Sequence, residues 1–287
     1  MQKPILDVVV PCFMQGYWLE PLLNAIALAA NCRHQVVIVD DASPDRLTHL
    51  ALSSLRPASN LQALEILRLP VNSGGAAHPR NAGFLAGTSE YVLFLDSDDL
   101  LVERSLCKSL TEMSEKNHDV SIGNWVTIGN SSVSASPMMT PRIPYSLSTS
   151  WVFRYWERGL TIPIHSAIFR RSSFKPGIAP FSEVYQTKED FYFWATYFDQ
   201  KRNVLRNDTV QAVYRTSGES MSQSNFFKNG IAFCEVAIDL AEKYPYLECE
   251  LQDNIEYARD FYGTRVRESD RNWFSLEIDR MLCGRTK

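Results

Sequence analysis

Apolar positions in the first hundred residues come as short continuous runs separated by stretches of helical spacing. Ile5 to Pro11 (ILDVVVP), Gln35 to Val39 (QVVIV) and Tyr91 to Leu95 (YVLFL) have the length and β-branched or aromatic content of buried strands, and Leu64 to Leu69 supplies a further strand. Between the first two runs, Trp18, Leu19, Leu22, Leu23, Ile26, Ala29 and Ala30 line one face of a helix. Ser43 as N-cap and Pro44 at the first helical position open a second helix. The glycine-bearing loop Asn72 to Gly83 runs into a short third helix that Gly87 ends. Strands alternating with helices predict a mostly parallel sheet with helices on both faces.

The rhythm then changes. Leu101 to Lys116 reads as a charged amphipathic helix and Val120 to Ile128 as a fifth strand, but Gly129 to Thr149 is rich in Ser, Pro and Met and has no period. Loops of that length are usually functional or mobile. Order resumes at Trp151 to Trp156, and Ser166 to Arg171 is a short strand. Thr187-Lys188-Glu189-Asp190 leads into an aromatic helix carrying Phe191, Phe193, Trp194, Tyr197 and Phe198. Asn203 to Tyr214 is a strand or hairpin, and Ile231 to Ala241, Leu251 to Val266 and Trp273 to Leu282 are helical by period. The fold class expected is α/β, a single Rossmann-like domain over 1–224 followed by a helical extension over 225–287.

Composition narrows the class. At 287 residues with 45% hydrophobic and 22% charged content, the chain can bury a full core and is not disordered. A net charge of −4 argues against a dedicated nucleic-acid binder. Cys12, Cys32, Cys107, Cys234, Cys249 and Cys283 form no CxxC pair, so neither zinc nor a disulfide framework is signalled. Reduced thiols, an N-terminal run too short for a signal-peptide core and no apolar run near ~18 residues lead us to expect a cytoplasmic protein. Mixed charge on the helical tail favours packing or homodimerisation over insertion, and leaves peripheral association with a membrane open.

Chemistry concentrates where Tyr91 to Leu95 runs into Asp96-Ser97-Asp98-Asp99. Three acids leaving a buried strand together repel one another, and a hard divalent cation such as Mg²⁺ or Mn²⁺ offsets that repulsion. The bland alternative is a solvated turn in which Asp98 or Asp99 caps the next helix. In parallel sheets, however, ligands bind beyond the carboxyl ends of the strands. Pro11-Cys12-Phe13 and Asp40-Asp41 lie at such ends too, so these segments should converge on one crevice.

VVVPCF at Val8 to Phe13, VVIVDDASPD at Val36 to Asp45, NSGGAAHPRNAG at Asn72 to Gly83, FLDSDD at Phe94 to Asp99, RRSSF at Arg170 to Phe174 and KEDFYFW at Lys188 to Trp194 stand in order. Together they resemble the family 2 glycosyltransferases of the GT-A fold. The resemblance implies a nucleotide-binding half over 1–130 and an acceptor-binding half over 131–224. It implies a non-processive, inverting transfer of one sugar from a nucleoside diphosphate sugar, UDP-linked first, to a hydroxyl of a carbohydrate or lipid-linked saccharide. Assembly of a bacterial surface polysaccharide is the setting it suggests. Asp98 and Asp96 are the implied ligands of Mn²⁺ or Mg²⁺, with Asp96 otherwise facing ribose and Asp99 either substituting as ligand or capping a helix.

Around the donor, the resemblance places Asp41 on the base, with Asp40 as its alternative, and Phe13 where an aromatic stacks on the base. Phe13 packing under the sheet and Asp40 capping a turn are the competing readings. Pro11, Asn72, Arg80 and Ser97 complete the implied donor site; Arg80, with Asn81, supports the nucleotide or orients the acids, and His78 is a loop residue. Asp190 is the implied general base, against the alternative that Glu189 and Asp190 only favour a helix start. Tyr214-Arg215 with Ser220 to Ser222 resembles a segment that closes over the diphosphate. Trp151, Tyr155, Trp156, Tyr185 and Tyr192 line an acceptor or belong to the core.

The sequence departs from the family at Pro79, where small residues are usual, and lacks the Gln-x-x-Arg-Trp motif of processive synthases. A dehydrogenase would carry G-x-G-x-x-G after the first strand, where Pro11 to Gly16 stands instead. A nucleotidyltransferase would carry a Gly-rich basic loop there. A nucleotide-binding GT-A-like protein without transferase activity is the remaining alternative.

Overall fold

A computed structural model describes residues 5–30, 32–57, 61–129, 147–159, 161–216 and 225–284. The chain divides into two compact units that interleave in sequence: 1–146, 162–181 and 201–216 form the first, and 147–161, 182–200 and 217–287 the second.

The first unit is built on an eight-stranded mixed sheet. Its strands are β1 (Leu6–Cys12), β2 (His34–Asp40), β3 (Leu61–Arg68), β4 (Tyr91–Phe94), β5 (Leu100–Leu101), β6 (Val120–Gly129), β7 (Ala167–Arg170) and β8 (Val204–Thr216), in the order β3-β2-β1-β4-β7-β6-β8-β5. Strands β1 to β4 pair in parallel, β7 runs antiparallel between β4 and β6, and β8 lies parallel to β6. Both faces of the β1–β2 pair are apolar because both are covered. Val8, Val10, Val36 and Ile38 pack with Leu22 and Ile26 of α1 (Leu19–Ala29). The opposite face receives α3 (Ala77–Ala86), where Gly83 sits so close that a Cβ would lie 2.4 Å from Val9 Cγ1 and 3.2 Å from Val39 Cγ2. Gly83→Ala is therefore expected to cost about 1–3 kcal/mol by overpacking, read in denaturant unfolding.

Two element boundaries differ from the pattern reading. The N-cap of α2 (Arg46–Ser54) is Asp45, which accepts from the Thr48 amide at 2.7 Å, not Ser43. Ser43 is drawn away because its hydroxyl accepts from the Met14 amide, 2.9 Å distant, across the mouth of β1. After the acidic turn the chain does not enter a helix; Leu100 and Leu101 pair with Val213 and Ala212, and α4 (Ser105–Lys116) begins only past Arg104. Neither Asp98 nor Asp99 caps a helix. Pro79 lies in the first turn of α3, where a missing N–H breaks no helical bond. Of the long loop expected over Gly129 to Thr149, residues 130–146 fall outside the described residues, as do Ser220 to Ser222, while Gly129 ends β6 and Thr149 opens a helix.

The second unit holds α5 (Thr149–Tyr155), α6 (Glu189–Tyr197), α7 (Phe226–Lys243), α8 (Glu248–Phe261) and α9 (Arg271–Gly284). Its core is aromatic: Trp156 stacks on Phe191, and Phe191 on Phe233, with centroids 5.6 and 5.4 Å apart. Among the described residues, no helix is long and apolar enough to cross a membrane.

Candidate active site

Because β2, β1 and β4 are parallel neighbours, the segments leaving them emerge side by side. The Asp41 amide donates to the Cys12 carbonyl at 2.8 Å, and the Leu95 amide to Val9 at 2.9 Å. Met14 (φ 57°) and Ala42 (φ 56°) hold left-handed backbone just beyond β1 and β2. Non-glycine residues so placed cost about 1–3 kcal/mol each and cluster at functional sites.

Asp41 is buried, and its carboxylate holds the loop after β3. Oδ2 accepts from Asn72 Nδ2 at 3.1 Å and Ser73 Oγ at 2.8 Å, while Oδ1 accepts from the Ser73 amide at 3.0 Å. Oδ1 keeps a lone pair for a further donor. Asp40, fully buried, closes its own turn through the Ser43 amide at 3.0 Å and meets Arg68 Nε at 3.4 Å, so it takes the turn-capping role. Phe13 is 41% exposed, which excludes a place under the sheet. Pro11 is buried in β1, opposite Val39.

At the end of β4, Arg80 reaches from α3 to Asp96 Oδ1 at 2.6 Å, its guanidinium side chain only 4% exposed. Burial alone would raise the Asp96 carboxyl, but Arg80, helped by His165, outweighs it and holds the group below the usual carboxylate range. Asp98 has no such partner: burial first, then Asp96 and Asp99, push it up to about 6. Ser97 is buried between them. Asn81 works at a different point, clasping both backbone groups of Phe181 at 2.9 Å, and Phe181 in turn lies under the Arg80 guanidinium. His78 sits in the first turn of α3.

Three residues that sequence reasoning did not single out, or placed differently, complete this corner. His165 Nδ1 lies 2.8 Å from Asp99 Oδ2, with both side chains nearly fully buried. Burial opposes charge on the imidazole, yet Asp99 and Asp96 outweigh it and raise His165 above its ordinary value. Asp96, Asp99 and His165 each bring a ligand atom within 4.8 Å of the others, a group Asp98 does not join. His165 Nε2 has no hydrogen-bond partner among the described residues. Once the imidazole gives up its proton, two carboxylates and a ring nitrogen fit a divalent ion, Mn²⁺ better than Mg²⁺ because of the nitrogen. Arg215 closes the corner: its amide donates to Asp99 Oδ1 at 2.9 Å and its Nε to the Asp98 carbonyl, with its guanidinium 3.5 Å from the Trp18 ring centre. Among the described residues, Arg215 Nη2 is buried without a hydrogen-bond partner, pointing to an anion as its complement.

Asp190 belongs to the second unit, in the first turn of α6, and its Oδ1 accepts from the Phe191 amide at 2.8 Å. Of the candidate acceptor aromatics in that unit, Trp156 and Tyr185 are core, whereas Tyr155 is 40% exposed.

Comparison with known proteins bears on this arrangement. The family described as Glycosyl transferase family 2 matches residues 7–177. The chain is 25% identical over 284 residues to the poly(ribitol-phosphate) beta-N-acetylglucosaminyltransferase TarS of Staphylococcus aureus, covering 95% of this chain and 46% of that protein. It thus spans about half the length of that relative. The crystal structure of S. aureus TarS 1-349 in complex with UDP-GlcNAc superposes with a TM-score of 0.65 at 19% identity, over 96% of this chain and 88% of that one. The mannosyltransferase PcManGT from Pyrobaculum calidifontis in complex with GDP-Man and Mn²⁺ gives a TM-score of 0.63 at 15% identity, over 99% and 75%. A family match running through β1, β2, the β3–α3 loop and the acidic turn alike places the chain in the family 2 glycosyl transferases, with the GT-A fold.

Proposed function

We propose that the protein transfers one sugar from a UDP-sugar to a saccharide hydroxyl with inversion, using Asp190 as general base. The observation that carries this reading is the half-buried acidic turn Asp96 to Asp99 at the carboxyl end of β4, inside a family 2 match whose relatives include a UDP-GlcNAc-bound structure. Phe13 offers its exposed ring to the base, Asp41 and Asn72 the hydrogen bonds at its edge, and Pro11 the floor. A Mn²⁺ or Mg²⁺ ion held by Asp96 with Asp98, backed by Asp99 and His165, supplies Lewis acidity and neutralises the diphosphate. Asp96 is common to both donor sets on this corner, and Arg80 keeps it ionised. Arg215 Nη2 takes a phosphate oxygen. Asp190 accepts the proton of the acceptor hydroxyl; the hydroxyl oxygen forms a bond to the anomeric carbon as the carbon–oxygen bond to the diphosphate breaks, and UDP leaves with the electron pair. One displacement from the opposite face inverts the centre.

The test is a screen of nucleotide sugars read as released UDP or GDP, beside melting temperature with UDP and Mn²⁺. UDP is expected to stabilise the protein only when Mn²⁺ is present, and NAD not at all. Binding of UDP with no release from any sugar nucleotide would leave a binding protein without transferase activity. Release of GDP alone would correct the base.

Asp98 adds a pH dependence. Its folded pKa of about 6 stands above the ordinary 3.8, so the metal-free folded state takes up a proton that the unfolded chain does not. That group's contribution to stability therefore grows as pH falls from about 6 towards 4 and is lost as pH rises. A cation must displace the proton, so Mn²⁺ affinity should be about tenfold weaker at pH 5 than at pH 7 from this group alone. Calorimetric titration at the two values checks it, and Asp98→Asn should flatten the difference.

A further inference from the structure

Among the described residues, Met14, Ala42, Arg104, Asn117, Glu157 and Lys188 are non-glycine residues with left-handed φ. Glu157 (φ 60°) and Lys188 (φ 64°) differ from the rest in being bound to each other, Lys188 Nζ lying 2.5 Å from Glu157 Oε1. Their side chains are only 17% and 12% exposed. The Tyr262 hydroxyl donates to the second carboxylate oxygen of Glu157, and the Tyr257 hydroxyl donates to its carbonyl at 3.0 Å. Lys188 is the N-cap of α6 and makes no side-chain cap, where Ser, Thr, Asp, Asn or Gly would ordinarily stand. Both local preferences are thus violated at one residue, and its ammonium is what the position retains in exchange.

The same two-residue segment grips the helix twice. Trp156 stacks on Phe191 with rings 8° from parallel, and Glu157 binds Lys188, so Glu189 and Asp190 lie between two fixed points. Tyr262 is held in its phenol form, by burial first, then by Glu157, and in smaller part by the charge of Asp190. We propose that Lys188, Glu157 and Tyr262 are positioning residues for Asp190: the ion pair across two strained backbones fixes the first turn of α6 and with it the direction of the Asp190 carboxylate. The inference rests on the reading of Asp190 as the base and adds three residues outside the Glu-Asp pair.

Lys188→Gly separates positioning from folding, since glycine adopts this φ without strain while the ammonium is lost. In the full chain with UDP-sugar and Mn²⁺, kcat should fall about tenfold or more with donor KM and UDP affinity within about twofold, and Lys188→Arg should recover most of the rate. Hydrogen exchange at the Asp190 and Phe191 amides should accelerate about tenfold in Lys188→Gly while amides inside α7 stay protected. Unchanged exchange at those two amides, or a loss of kcat matched by a loss of UDP affinity, overturns the proposal. If the wild-type protein releases no nucleoside diphosphate, the transferase reading fails separately, and the exchange measurement still decides whether the pair orders the α6 terminus.

Discussion

Asp190→Asn is expected to lower turnover about 10²–10⁴-fold, the span ordinarily supplied by a positioned general base, with UDP affinity unchanged. The substitution is chosen because it keeps the shape. An asparagine Oδ1 can still accept from the Phe191 amide, which Asp190 does at 2.8 Å, so the first turn of α6 loses only the interaction of a charge with the helix terminus, about 0.3–1 kcal/mol. Melting temperature should therefore move little while transfer falls away. Glu189→Gln changes a charge at the same helix start and serves as the control. If Asp190 merely favours the helix terminus, the two substitutions will have similar small effects on rate. Near-wild-type turnover by Asp190→Asn would remove it from the mechanism and leave the donor site intact.

What the sequence made legible follows how local each feature is. The acidic turn was readable because a buried strand and three carboxylates are contiguous, and its crevice because β1, β2 and β4 each announce their own ends. The Arg80–Asp96 pair was partly readable, since the Arg-Asn loop and the acids belong to one family pattern and Arg80 does orient an acid. His165 was not. It stands in Ile162 to Ser166, a stretch with no motif, and only β7 pairing between β4 and β6 carries its neighbourhood to Asp99. Trp18 likewise read as a helix-face apolar residue, and its contact with Arg215 joins distant parts of the chain. The misplaced cap has the same cause: Ser43 and Asp45 are equal candidates locally, and a long-range bond to Met14 decides between them. Leu101 joined a helix by period but a sheet by partner, because β8 supplies the pairing from far downstream. The strained pair Glu157–Lys188 has no sequence signal at all, as nothing local marks a left-handed glutamate or lysine.

His165→Leu should destabilise the protein by about 3–5 kcal/mol at pH 7, the usual cost of removing one partner from a buried ion pair. The wild-type contact is 2.8 Å between two nearly inaccessible side chains, and Leu leaves the Asp99 carboxylate with the Arg215 amide as its named donor. Both proteins should gain stability as pH falls from 7 to 5, each through a different group. In the variant, an uncompensated buried carboxylate rises in pKa and the folded state gains a proton, so stability is recovered in acid. In the wild type, the raised His165 value means that its contribution is present below its unfolded pKa and is lost as pH rises through the folded one. Denaturant unfolding at pH 5 and pH 7 measures both limbs. The double variant His165→Leu with Asp99→Asn keeps an acceptor for the Arg215 amide and removes the stranded charge, and it should recover most of the lost stability, since buried pairs are replaceable by neutral groups at little net cost. It should not recover Mn²⁺-dependent stabilisation by UDP, because Asp96 would then lack both neighbours that bring ligand atoms within 4.8 Å. A double variant that is stable and still couples UDP to Mn²⁺ would assign the ion to Asp96 and Asp98 alone and reduce the His165–Asp99 pair to scaffolding. A stable variant that has lost the coupling would mean that a buried charge pair, poor as a source of stability, is kept at this corner for the ion.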